Sequence, residues 1–150
     1  MLQGPLLHPE ILLSLASSGH GSKILIADGN FPFVTKPNPA AKTVFLNLSP
    51  GTVGVIDVLQ AICPVTPIES AVVMAPPTQG EYAVQQPQIW EEFELVLRQT
   101  DNESRLEKVG RFNFYEYCAS PDVSLVIATG EQRIFANLLL TVGVVKSLDN

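Results

Sequence analysis

The sequence predicts an α/β fold on a mostly parallel sheet, with an antiparallel hairpin at its end. Two observations carry this reading. Short, nearly unbroken apolar runs rich in Val, Ile and Leu recur along the chain, as strands buried on both faces require. Between them lie segments whose apolar residues return at helical spacing, and strands alternating with helices define the α/β class. The 150 residues form one domain, residues 1–150, with no internal repeat, charge run or linker. A chain of this size buries roughly 68–70% of the surface its unfolded form exposes, so no disulfide or metal staple is required.

The elements follow in order. Pro9 suits the first position of a helix, and Ile11, Leu12, Leu15 and Ala16 share one face until Gly19 stops it, which predicts a helix over 9–18. Lys23 to Asp28 is a buried strand with an aspartate at its carboxyl end. Residues 29–39 hold three prolines and no period, the mark of a loop that covers something. Val44 to Leu48 reads as a second strand. Val53 to Ile62 reads as a helix behind Thr52 as N-cap, ended by Pro64. Ala71 to Met74 is a third strand, closed by Pro76 and Pro77. Residues 85–98 form an amphipathic helix with Ile89, Phe93, Val96 and Leu97 on one side and Glu91, Glu94 and Arg98 on the other. A short helix over Arg111–Ala119 precedes a strand at Ser124–Thr129. The apolar run Ile134–Val142 favours a further strand.

Composition excludes several classes. The net charge of −6 and the scattered Lys and Arg residues argue against a nucleic-acid partner, which clustered cations would serve. No run approaches the ~18–20 apolar residues of a membrane span, and the amino-terminal stretch lacks the basic opening of a secretory signal. Cys63 and Cys118 sit in apolar segments without a second metal-type ligand at a familiar spacing, so both read as buried free thiols in a reducing compartment. Walker, G-x-G-x-x-G, G-x-S-x-G and H-E-x-x-H motifs are missing, which leaves nucleotide-cofactor and serine-hydrolase chemistry unsupported. An apolar fraction of 46% with only 16% charged residues is oily for a monomer and points to burial between subunits.

A few residues carry possible chemistry. His20 stands unshielded between Gly19 and Gly21, and an imidazole ordinarily titrates near neutrality, where proton traffic is easiest; a surface-turn histidine is the plainer alternative. His8, ahead of the first helix, reads as structural. Asp28 ends an apolar strand, where a carboxylate is costly unless paired or at a mouth facing water; it either tunes a histidine, transfers a proton itself, or fixes the loop. In open α/β sheets ligands bind beyond the carboxyl ends of strands, which points at Asp28. The segment Arg111–Tyr117 concentrates aromatics, a cation and polar groups, as recognition of a sugar's C–H face and hydroxyls demands. Core packing explains its aromatics equally well, but Arg111 and Tyr115 share one helical face. Asn137, a polar residue in an apolar run, needs partners if buried, from backbone bracing or from a ligand.

Gly19-His20-Gly21, Ile26-Ala27-Asp28-Gly29-Asn30-Phe31-Pro32, Arg111-Phe112-Asn113-Phe114-Tyr115-Glu116 and Thr129-Gly130-Glu131 with Ala136-Asn137-Leu138-Leu139-Leu140 together resemble the RbsD/FucU family, over essentially the whole chain and in order. The resemblance implies a three-layer α/β fold and a cytoplasmic, cofactor-free isomerase that interconverts the anomers of a free monosaccharide. It also implies a ring-shaped homo-oligomer, a decamer, with sites near subunit boundaries. The Arg111–Glu116 segment is closer to the fucose branch than to the ribose branch, so L-fucose or a related sugar is the expected substrate; a D-ribose pyranase or a non-catalytic sugar-binding protein of the same fold are the alternatives. Carried over by position, the resemblance makes His20 and Asp28 the proton-handling pair and Arg111, Tyr115, Phe135 and Asn137 sugar-binding residues, with Glu69 as a further acid. Two positions depart from the family pattern. Phe135 stands where a tyrosine is usual, and Ser22 where an aspartate is common.

Overall fold

The computed structural model describes residues 1–100 and 105–147. Four helices and six strands follow one another as α1 (Pro9–Ser17), β1 (Lys23–Ala27), β2 (Lys42–Phe45), α2 (Val55–Ile62), β3 (Ile68–Met74), α3 (Ile89–Arg98), β4 (Leu106–Val109), α4 (Arg111–Ala119), β5 (Val123–Ala128) and β6 (Leu138–Val142). All six strands form one sheet in the order β2-β5-β1-β6-β3-β4. β5 pairs in parallel with both β1 and β2, and β3 pairs in parallel with β4. β6 runs antiparallel between β1 and β3 and joins the two parallel sets.

The expected hairpin at the end of the sheet is therefore corrected. β6 does not fold back on β5, because β1 lies between them. A central antiparallel strand satisfies β1 and β3 at once, and its apolar residues reach both faces: Leu138 and Leu140 join one core cluster, Leu139 the other.

The layering follows from strand alternation. Ile24 and Ile26 of β1 face a core shared with Ile11 of α1, Leu59 of α2 and Phe93 of α3. Leu25 and Ala27 face the opposite way, onto Phe114 and Cys118 of α4 and Phe31 of the loop after β1. Three helices cover one face and α4 with that loop covers the other, giving the three layers. Cys63 and Cys118 are free and buried on opposite sides of the sheet. Burial pushes the Cys63 thiol up to about 11 and the Cys118 thiol up to about 12, so neither is a ready nucleophile.

Several boundaries differ from expectation for local reasons. α2 starts after Gly54, not Thr52, and the Asp57 carboxylate accepts the Gly54 N–H at 2.8 Å. α3 starts at Ile89 rather than Gln85, since Pro87 disfavours helix in the residue before it. β6 starts at Leu138 because Phe135 adopts a left-handed backbone, φ +58°, which no strand accommodates. β4, for which the pattern predicts nothing, is a four-residue edge strand whose Glu107 and Lys108 are exposed. Among the described residues no helix is long and apolar enough to cross a membrane.

Candidate active site

Asp28 follows directly on β1, at its carboxyl end, and is 3% exposed. Its backbone N–H donates to Asn137 Oδ1 at 2.8 Å, while Asn137 Nδ2 donates to Asp28 Oδ2 at 2.9 Å. The Asn30 backbone N–H donates to the other carboxyl oxygen at 3.0 Å. Burial nonetheless dominates: removal from water raises the Asp28 pKa to about 6, against the opposing hydrogen bonds from the Asn30, Ala136 and Phe31 backbone and the Asn137 amide. The group changes charge close to neutrality, where a general acid or base is most effective.

The exit of β1 is braced from the side. Thr129 Oγ1 donates to the Ala27 carbonyl at 2.7 Å, and the Gly29 N–H donates to the Glu131 carbonyl at 2.8 Å. Gly130 is obligatory here, because a Cβ would collide with the Ser49 and Thr52 carbonyl oxygens. The Glu131 carboxylate accepts two guanidinium bonds from Arg133, which hold its pKa below the usual carboxylate range. Thr129-Gly130-Glu131 thus supports the site from behind.

Beyond Asp28 opens a cavity of about 470 Å³, lined by Asp28, Asn30, Phe31, Arg111, Tyr115, Phe135 and Asn137, with Tyr82, Met74 and Pro76 among its further walls. That volume lies within the range of small-molecule sites. Arg111 opens α4 behind Gly110, and its guanidinium lies 5.5 Å from the Tyr115 ring centre, as the one-turn spacing predicts. Lys36 contributes a second cation 5.3 Å from the same ring, and Phe31 meets it edge-on at 5.9 Å. A larger hollow of about 790 Å³ lies between Gln60, Thr66 and Thr100, and among the described residues none with a charged side chain lines it.

Five of the seven candidate residues therefore meet: Asp28, Arg111, Tyr115, Phe135 and Asn137. His20 and Glu69 do not join them within one chain. Nε2 of His20 lies 2.8 Å from Glu69 Oε2, a hydrogen bond in which the imidazole N–H donates to the carboxylate. Both side chains are about half exposed, 58% and 46%. This pair sits at the amino-terminal end of β1, beside the end of β6, where the Gly21 N–H donates to the Val142 carbonyl. The expectation that a turn and the strand after it bring His20 and Asp28 to one hollow is corrected: β1 separates them, and five extended residues span roughly 16 Å. Asn30, Phe31 and Tyr82 are cavity residues that residue-type reasoning did not single out. The signal for Tyr82 was faint, a lone aromatic in a Pro- and Gly-rich loop.

A three-layer α/β domain with a near-neutral carboxyl group at a strand end, under a cavity rimmed by a guanidinium and phenols, defines a protein built to take a small polar ligand. A family model described as the RbsD / FucU transport protein family matches residues 1–145, and the chain belongs to that family. It is 33% identical to the human fucose mutarotase over 145 residues, covering 93% of this chain and 90% of that one. It is 31% identical to the mouse fucose mutarotase over 143 residues, covering 91% and 89%. Among solved structures, FucU from Bifidobacterium longum superposes with a TM-score of 0.80 at 31% identity, covering 93% of this chain and 95% of that one. The Streptococcus pneumoniae fucose mutarotase in complex with L-fucose shares the fold, with a TM-score of 0.82 at 24% identity over 97% and 100% of the two chains.

Proposed function

We propose that this protein is a cofactor-free sugar mutarotase that interconverts the α and β anomers of L-fucose or a related monosaccharide in the cytoplasm. The observation that carries the reading is Asp28, a buried carboxyl group poised near pH 6 on the floor of a cavity of monosaccharide size. Kinship with fucose mutarotases at 31–33% identity supports the choice of sugar.

The chemistry needs two proton transfers. One group takes the proton from the anomeric hydroxyl, the C1–O5 bond breaks as C1 becomes a carbonyl, and a second group delivers a proton to the ring oxygen. Rotation about C1–C2 and closure on the other face give the opposite anomer. Asp28 supplies one transfer, Arg111 and Tyr115 orient the hydroxyls, Asn137 holds both Asp28 and the sugar, and Phe135 offers an apolar wall. Acid–base assistance of this kind is worth about 10²–10⁴-fold.

His20 supplies the other transfer, in this reading from a neighbouring copy. Its Nε2–H is committed to Glu69, which leaves Nδ1 of the neutral imidazole as the acceptor. Two half-sites at opposite ends of one strand meet only when copies associate head to tail, and such contacts generate rings when the rotation closes. Exposed Leu13, Val34, Phe45 and Leu48 provide apolar surface for that association into a ring-shaped decamer. Saturation-transfer NMR on fucose tests the activity. Acceleration of anomer exchange by the purified protein is the expected result; sugar-induced thermal stabilisation with no acceleration would instead favour a binding protein, and faster exchange of ribose than of fucose a pyranase.

A further inference from the structure

Trp90 is the only tryptophan of the chain, and it lies outside the lining of the Asp28 cavity. It sits in the first turn of α3, 2% exposed, with Lys108 Nζ 5.0 Å from its ring centre. Its indole Nε1–H donates to the Phe135 carbonyl at 2.9 Å. Phe135 is the one non-glycine residue with positive φ among those described, at +58°. A left-handed conformation is costly for an aromatic residue and persists only where the surroundings impose it. Two residues further on, Asn137 exchanges hydrogen bonds with Asp28.

We propose that Trp90 is a positioning residue for the anomer-exchange reaction: its indole N–H pins the left-handed turn at Phe135, and that turn aims the Asn137 amide at Asp28. The inference rests on the mutarotase reading of the site. It assigns to a side chain of the opposite helical layer a share in setting the protonation of the cavity floor. Asn137 Nδ2–H stabilises the Asp28 carboxylate, so releasing the turn weakens that bond and moves the Asp28 titration to higher pH. The other ionisable groups of the cavity, Arg111, Tyr115 and Tyr82, stay in place, and Glu131 behind it remains engaged by Arg133.

The test compares Trp90→Phe, which keeps most of the apolar volume and loses the donor, with replacement of the single tryptophan by β-(3-benzothienyl)alanine, which keeps the bicyclic shape and loses only the N–H. Both are expected to lower kcat for fucose anomer exchange by roughly three- to tenfold, the value of one hydrogen bond. KM should change less, and the acid limb of the pH–rate profile should move upward. In a Phe135→Asn background the Trp90→Phe effect should shrink, since asparagine enters the left-handed region readily. A carboxyl ¹³C titration of Asp28 reads the same link without activity. If wild type exchanges anomers, and the benzothienyl protein matches its kcat, acid limb and Asp28 titration, the inference is overturned. If wild type shows no exchange while the Asp28 titration still moves on loss of the N–H, the mutarotase reading fails and the Trp90 linkage stands.

Discussion

Asp28 and Asn137 close a ring of two hydrogen bonds at the end of β1, backbone N–H to amide oxygen and amide N–H to carboxylate, at 2.8 and 2.9 Å. The arrangement fixes the orientation of a carboxyl group that burial has made reluctant to ionise. Burial sets the proton affinity and the Asn137 amide moderates it while fixing the geometry, although the two residues are 109 positions apart.

Asp28→Asn should slow anomer exchange by about 10²–10⁴-fold, the usual value of an acid–base group. It should also change the pH dependence of stability. The folded state keeps the Asp28 proton up to about pH 6, whereas the unfolded chain loses it near pH 4. Stability from this group is therefore fully present below about pH 4, falls as pH rises, and is gone above about pH 6. The shift is worth up to about 3 kcal/mol. Urea titrations at pH 4, 5, 6 and 7 should show that decline in wild type and a flatter profile in the variant.

Asn137→Leu removes the amide donor and leaves Asp28 Oδ2 without its buried partner. An unsatisfied buried acceptor costs about 1–3 kcal/mol, more for a charged one, so the loss of stability should be larger at pH 8 than at pH 5, where the carboxyl group is protonated. The Asp28 titration should move above pH 6. Chemical denaturation at the two pH values checks the sign.

Gly130→Ala places a methyl group against the Ser49 and Thr52 carbonyl oxygens. Both belong to backbone that braces the strand ends, so neither moves away cheaply. A destabilisation of about 2 kcal/mol or more is expected, which lowers Tm by roughly 6 °C or more. Calorimetry measures it, and an unchanged Tm would contradict the packing described.

Subunit mixing separates a shared site from a self-contained one. His20→Ala and Asp28→Asn proteins should each be nearly inactive. Unfolded together and refolded at equal ratio, they should recover about one quarter of the wild-type sites, since random assortment in a head-to-tail ring pairs an intact His20 with an intact Asp28 at that frequency. No recovery in a verified mixed oligomer would mean that His20 of one copy does not complete the Asp28 site of another.

Much of the fold was legible because buried strands announce themselves. Ile24 to Ala27 and Leu125 to Ala128 are wholly buried and read as apolar runs, and Arg111–Ala119 is a helix with the predicted bounds. What the residues did not reveal was pairing. The placement of β6 between β1 and β3 depends on contacts between distant strands, to which local pattern is blind. Leu106–Val109 escaped because an edge strand with exposed charges looks like a loop. At the site, Arg111 with Tyr115 followed from helical spacing and Asp28 from its position at a strand end. The separation of His20 from Asp28 did not follow, since nearness in sequence across an extended strand means distance in space. Glu69 as the partner of His20 depends on β3 lying next to β6, again a matter of topology.

The most direct measurement is the rate of α–β exchange of L-fucose by saturation-transfer NMR, with wild type, Asp28→Asn and His20→Ala at equal concentrations near pH 7. Fast exchange is expected with wild type and near-spontaneous exchange with either variant, each still folded by circular dichroism. Asp28→Asn exchanging fucose as fast as wild type would contradict the claim that a buried carboxyl group titrating near pH 6 performs the proton transfer.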